Sequence, residues 1–310
     1  MPADNEQQSA CSKNTIYTMS LLRERLQEGT FVITSEIAPP KGVDISEALH
    51  EARILSEITT AINVTDNQSA VMRADPVALC RKLLDEGIEP IYQIVCRDKN
   101  RLAIQSSLLG AAILGVENLL SLTGDPPQCG DHPETKVVFD LDSIKLMEVA
   151  RKLREGKDMA GKPLNGQPNF FIGAAMTPTN ANVEVELSKT NAKINGGAQF
   201  FQTQAVFDVE KLKRFMARLS NDHPPILAGI IVLKSVKMAE YMVKNIPGID
   251  IPETLMERLK SAKDSLKEGI EIASELVSQL KGLAQGVHMM PIGQVDAVVP
   301  IIEKAGIVVS

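Results

Sequence analysis

The 310-residue sequence predicts an α/β protein, a single (β/α)8 or TIM barrel with extra helices between strands seven and eight. Three observations carry that expectation. Eight short apolar runs alternate with helical segments along the chain. The runs are continuously apolar, as in strands of a parallel sheet buried on both faces. No GxGxxG turn follows the first run and no GxxxxGK[ST] loop occurs, which argues against a doubly wound nucleotide-binding sheet.

In order, Ser20 to Gln27 reads as a short amphipathic helix stopped by Gly29. Phe31 to Ile37 is the first strand, ending in Ala38-Pro39-Pro40-Lys41-Gly42. A helix is expected from Ile45 to Thr59, then a strand from Ala61 to Thr65. Asp75 caps the next helix, with Pro76 in its first turn and Gly87 at its end. Pro90 to Val95 is strand three, followed by a helix from Asn100 to Leu114. Strand four, Asn118 to Leu122, ends in Thr123-Gly124-Asp125-Pro126-Pro127. A loop to Val138 and a helix from Leu141 to Glu155 come next, with 156–167 a polar insertion. Strands five and six are Asn169 to Ala175 and Ala198 to Gln202, around a helix from Val183 to Asn195 capped by Gly196-Gly197. After a helix from Asp208 to Leu219, strand seven is Ile226 to Val232. Ser235 to Lys281 holds two or three helices, Leu283 to Met289 is strand eight, and Val295 to Ala305 is the last helix.

The first fifteen residues are polar and read as a disordered tail, leaving residues 16–310 as one barrel domain. A net charge of -6 and 4% aromatic residues without tryptophan speak against a nucleic-acid surface. No run approaches the roughly 20 apolar residues of a membrane span. Cys11, Cys80, Cys96 and Cys129 lack CxxC spacing and histidine neighbours at ligand spacing, so no metal site is expected. Free thiols without a secretory signal fit a reducing cytoplasm.

In such a barrel all strand C-termini open on one mouth, where chemistry is placed. The residues collected there are Glu36, Thr65 with Asp66, Gln93, Asp125, Met176 with Thr177, Gln204 and His288. Glu36 interrupts an apolar run; half-burial there favours a protonated carboxyl suited to general acid work, the alternative being a solvated or lysine-paired glutamate. Asp125 sits on a turn made permissive by Gly124 and stiffened by two prolines, which holds its carboxylate still. It could modulate a cofactor, bind a cation or cap the next element. Lys193, alone on its helix, either reaches a phosphate or is solvated surface.

Ser35-Glu36-Ile37-Ala38-Pro39-Pro40-Lys41, Leu122-Thr123-Gly124-Asp125-Pro126-Pro127, Lys193 through Ala198, Thr203-Gln204 through Phe207-Asp208, Ala228-Gly229-Ile230-Ile231 and Gly286-Val287-His288 together resemble the methylenetetrahydrofolate reductase family in order and spacing. The resemblance spans about Arg23 to Gly306 and is closest to the form of anaerobic one-carbon-fixing bacteria. It implies a flavin-dependent barrel that reduces 5,10-methylenetetrahydrofolate to 5-methyltetrahydrofolate in one-carbon metabolism and methionine biosynthesis. Glu36 then matches the general acid and Asp125 the carboxylate between flavin and folate. Gln204 matches an amide that binds folate, and Asp125 and Gln93 are counted with it as substrate-binding residues. Thr65, Gly124, Asp125, Met176 and Lys193 match cofactor contacts. The implied cofactor is FAD, with FMN the alternative. The implied electron donor is NAD(P)H or a partner subunit in a homo- or hetero-oligomer. The chain departs from the family pattern at Asp66, Gln93, Met176 and Val236. Two rival readings share the fold: a flavin-free pterin-binding methyltransferase barrel, and a flavin subunit that depends on a partner for electrons.

Overall fold

The computed structural model describes residues 19–246 and 248–307; the expected tail at 1–15 lies outside them. The elements in order are α1 (Leu21–Gln27), β1 (Val32–Ile37), α2 (Ser46–Ser56), β2 (Ala61–Val64), α3 (Pro76–Asp85), β3 (Pro90–Val95), α4 (Arg101–Ile113), β4 (Asn118–Leu122), α5 (Ser143–Arg154) and β5 (Phe171–Met176). They continue with α6 (Val183–Gly196), β6 (Phe200–Ala205), α7 (Val209–Met216), β7 (Ile226–Ile231), α8 (Val236–Asn245), α9 (Glu253–Ser261), α10 (Ser265–Leu280), β8 (Gly286–Met290) and α11 (Val298–Lys304). All neighbouring strands are parallel and β1 closes on β8, with Val32 opposite Gly286, so the eight strands form one barrel. Three helices, α8 to α10, stand between β7 and β8.

Side-chain caps fix where several of the helices start. Asp75 accepts from Val77 N–H ahead of Pro76, Asn100 from Leu102 and Ala103, and Asp208 from Lys211. Each satisfies backbone donors that the first helical turn leaves without partners.

Strand parity sorts the side chains. Ile33, Ile62, Tyr92, Leu119, Ile172 and Ile230 point outward and join the helices in the larger core. Val32, Ala61, Ile91, Leu120, Phe171, Phe200 and Leu227 point inward and pack with Leu22 and Leu26 of α1, which plugs the N-terminal end. The Phe171 and Phe200 rings stack with centroids 5.0 Å apart. Gly173 is required beside them, because a Cβ there would lie 2.3 Å from the Phe200 ring. Burying each such large apolar side chain stabilises the fold by about 1.5–3 kcal/mol, so the lower barrel is a rigid foundation for what lies above it.

One layer higher the interior turns polar. Asn63 Nδ2 donates to Gln202 Oε1 at 2.7 Å, and Gln202 Nε2 donates to Asn63 Oδ1 at 3.0 Å and to Thr34 Oγ1 at 3.2 Å. Thr34 Oγ1 also lies 3.0 Å from His288 Nδ1. These four side chains are at most 4% exposed. Burial without partners would cost each of them; mutual bonding removes that cost and fixes the rotamers.

The sequence places the end of strand six too early. The strand runs through Thr203 and Gln204 to Ala205, and its register against β7 shifts between Gln202 and Ala205. Gly229 on β7 accommodates the irregularity, since a Cβ there would meet the Thr203 carbonyl oxygen at 2.4 Å.

Candidate active site

Directly above the polar layer lie the last inward positions of the strands. Glu36, two residues beyond Thr34 on β1, has an 11% exposed side chain. Its Oε2 is 3.5 Å from His288 Nε2, and Gln68 Nε2 donates to its Oε1 at 3.1 Å. No lysine or arginine pairs with it among the described residues. The surface-paired alternative for Glu36 is therefore excluded, and the carboxyl is presented into the mouth on a strand.

Thr65 continues the inward side of β2. It is 1% exposed, and its Oγ1 has no hydrogen-bond partner. Gln93, 7% exposed on the inward side of β3, has an amide that no protein group bonds among the described residues. Gln204, on the irregular end of β6, is half-buried and bends its Oε1 to the Ala205 N–H at 3.2 Å. On β5 the inward Ala175 carries only a methyl group at the level of the mouth, while the space at Gly173 below it is filled by the Phe200 ring. Across the mouth, the Thr65 hydroxyl and the Gln93 amide offer hydrogen bonds to a polar ligand.

Asp125 leaves the end of β4 on the turn that the sequence marks. Gly124 has φ +95°, and a Cβ on it would be 2.9 Å from Arg97 Cβ, so only glycine fits. Asp125 is exposed, and its Oδ2 accepts the Ser69 N–H at 3.1 Å. Arg97, 3% exposed, pairs with Asp98 at 2.6 Å and donates to the Asp125 carbonyl at 3.1 Å. Downstream, Val138 N–H bonds the Arg97 carbonyl at 2.8 Å, which leaves Val138 and Phe139 as an exposed apolar ledge beside the mouth.

Three expectations change. Met176 is 1% exposed in the outer core, because its parity on β5 turns it away from the mouth; Ala175 is the inward residue. Met176 is thus not a mouth contact. Asp66 likewise faces outward: its Oδ2 accepts from Val95 N–H at 3.1 Å and pairs with Lys99 at 3.3 Å. Burial pushes its carboxyl up from the ordinary value, with Lys99 and the Val95 N–H opposing. Lys193 is not solvated surface. Its ammonium donates to the Ala175 carbonyl at 2.6 Å, and burial lowers its proton affinity while Glu186 opposes the shift. Val236 is half-buried against the outer core at the start of α8.

Gln68, Arg97 and the layer of Thr34, Asn63 and Gln202 were missing from the residues singled out in the sequence. For the layer a signal existed: polar residues recur two positions before the mouth residues Glu36, Thr65 and Gln204. Gln68 and Arg97 lie in loops, where no periodicity marks them. Among the described residues no three His, Cys, Asp or Glu side chains cluster to hold a metal ion. None of the described helices is long and apolar enough to cross a membrane.

Fold and site together define a (β/α)8 barrel whose mouth is furnished with two fixed carboxylates, an imidazole and two amides. The profile described as "Methylenetetrahydrofolate reductase" matches residues 21–306, and the chain belongs to that family. Methylenetetrahydrofolate reductase 2 of Schizosaccharomyces pombe is 24% identical over 92% of the chain and 47% of its own length. The 5,10-methylenetetrahydrofolate reductase of Pectobacterium carotovorum is 23% identical over 82% of each chain. The chain spans about half the length of the yeast relatives it matches. Among solved structures, a Clostridium thermocellum protein that binds two copies of 5-methyl-5,6,7,8-tetrahydrofolic acid superposes with TM-score 0.64 at 19% identity, covering 92% of this chain and 98% of that one. That likeness shows the shared fold.

Proposed function

We propose that this chain reduces 5,10-methylenetetrahydrofolate to 5-methyltetrahydrofolate in a flavin-dependent reaction. Family membership supports the reading, as does the methyltetrahydrofolate bound by the Clostridium thermocellum protein of the same fold. The observation that carries it is that Glu36 at the end of β1 and Asp125 on the turn after β4 are each held by a donor from the same 68–69 loop.

The donor set fits a flavin. Thr65 Oγ1 is buried without a protein partner, the Gln93 amide is free, and Ala175 keeps the upper inside of β5 small. Thr65, Gly124 and Asp125 would hold the cofactor. The Lys193 ammonium keeps two further N–H donors for a phosphate beyond its bond to Ala175. FAD is favoured over FMN because the Val138–Phe139 ledge extends the mouth with an apolar surface for a second planar ring.

When bound, a flavin would supply the hydride that turns the methylene carbon into the 5-methyl group. The chain's residues do the rest. Glu36 gives a proton to N10 as the N10–methylene bond breaks and the substrate opens to an N5 iminium cation. Asp125 places a fixed negative charge near that cation, and its pull strengthens as the bound substrate excludes water from the mouth. Gln204 and Gln93 offer amides that match the donor and acceptor edge of a pterin.

Electrons come from NAD(P)H or from a partner subunit; the names of relatives include both NADH and NADPH forms. A visible spectrum of the purified protein tests the reading. Flavin bands near 450 nm, bleached by a donor and restored by methylenetetrahydrofolate without oxygen, support it. A protein that stays colourless after loading with FAD or FMN would favour a flavin-free methyltransferase instead.

A further inference from the structure

The loop between β2 and α3 is folded against local preference. Asn67, Ser69 and Ala70 have φ of 43°, 55° and 56°, a left-handed conformation that residues bearing a Cβ seldom adopt. Such a turn persists only where its surroundings hold it. Asn67 Oδ1 accepts from Arg73 N–H at 2.9 Å, and Arg97 donates both to the Asn67 carbonyl at 3.4 Å and to the Asp125 carbonyl at 3.1 Å. Gly130 lets the loop press against the turn after β4, since a Cβ there would sit 1.8 Å from the Ala70 carbonyl oxygen.

The strained turn aims two donors. The Gln68 side-chain amide reaches Glu36 Oε1 at 3.1 Å, and the N–H of the next residue, Ser69, reaches Asp125 Oδ2 at 3.1 Å. Adjacent residues of one loop thus engage the carboxylate at the end of β1 and the carboxylate beyond β4.

We propose that Gln68 is a positioning residue of the mouth: its amide orients the Glu36 carboxylate while the Ser69 N–H orients Asp125, so that this single loop sets the geometry of both. The proposal rests on the reading of Glu36 and Asp125 as the reacting pair. With Oε1 held by Gln68, Oε2 is the oxygen directed at His288. A substrate that replaces either donor releases one end of the loop, so binding and loop position are coupled.

The test uses Gln68→Met in the full-length chain, which keeps the side-chain length, removes the donor and falls on an exposed residue. Backbone hydrogen exchange over residues 67–71, measured without cofactor, is expected to quicken about fivefold or more on Gln68→Met in the wild-type background. In a Glu36→Ala background the same substitution is expected to add nothing, because the acceptor is already gone. In the holoenzyme, reoxidation of flavin by methylenetetrahydrofolate is expected to slow about tenfold, with flavin reduction by the donor unchanged. Unchanged exchange, or equal quickening in both backgrounds, overturns the positioning role. Coupled exchange in a protein whose wild-type flavin is not reoxidised by the folate leaves the loop assignment standing and rejects the proposed function instead.

Discussion

His288 Nε2 lies 3.5 Å from Glu36 Oε2, while its Nδ1 lies 3.0 Å from Thr34 Oγ1. The imidazole is thereby fixed between a buried hydroxyl and a carboxyl at the barrel mouth. Below it, Thr34, Gln202 and Asn63 form one bonded layer. Glu36 is thus seated on a preorganised support, which is what the proton-donor role proposed for it needs.

Glu36→Gln keeps the side chain's size and its acceptor for Gln68 but removes the proton to be delivered. Stopped-flow measurement of the two half-reactions should show flavin reduction within about twofold of wild type. Folate reduction should fall by roughly 10²-fold or more, the usual range for a lost general acid. Equal losses in both halves would make Glu36 a structural residue.

Thr65→Val separates cofactor binding from folding. Thr65 Oγ1 is buried with no protein partner, and a buried hydroxyl left unpaired costs about 1–3 kcal/mol. The isosteric valine should therefore leave the apoprotein as stable or raise its urea midpoint. Flavin affinity, followed by fluorescence titration, should fall about fivefold to tenfold. A less stable apoprotein with unaltered affinity would mean that the hydroxyl serves the fold.

Gly124→Ala tests the turn that carries Asp125. The alanine would have to adopt φ +95° and push its Cβ to 2.9 Å from Arg97 Cβ. A loss of roughly 1–3 kcal/mol in chemical denaturation is expected. Folate reduction should fall more than flavin reduction as Asp125 shifts. A variant with wild-type stability and activity would show that the turn yields freely.

Asp66 gives a pH signature. Burial raises its carboxyl above the ordinary 3.8, so the folded chain binds that proton more tightly than the unfolded one. The stability this proton linkage contributes is full below pH 3.8 and is lost as pH rises through the folded value. Asp66→Asn lacks the linkage but retains an acceptor for the Val95 N–H. The stability of wild type relative to the variant should therefore rise on acidification from pH 7 towards 4. A flat or falling difference would show that the pair with Lys99 outweighs burial.

Much of the barrel was legible because its signals are local. Pro90–Val95 and Asn118–Leu122 have the limits that the apolar runs mark, and Asp75-Pro76 starts α3 as capping rules dictate. The end of β6 was not legible, because its irregularity depends on a contact with Gly229 some 25 residues away. Met176 shows the cost of a one-residue error in parity: a neighbour of the inward Ala175 belongs to the opposite face. For Lys193 the sequence leaves a phosphate contact and solvated surface both open, and only the folded chain brings the Ala175 carbonyl to it. Gln68 and Ser69 owe their aim to left-handed backbone at residues with no glycine to announce it.

The most direct measurement is anaerobic mixing of the reduced, flavin-loaded chain with 5,10-methylenetetrahydrofolate, following the 450 nm band and the folate product together. The proposed chemistry predicts one flavin reoxidised for each 5-methyltetrahydrofolate formed. A flavin that stays reduced, with the folate recovered unchanged, would contradict it.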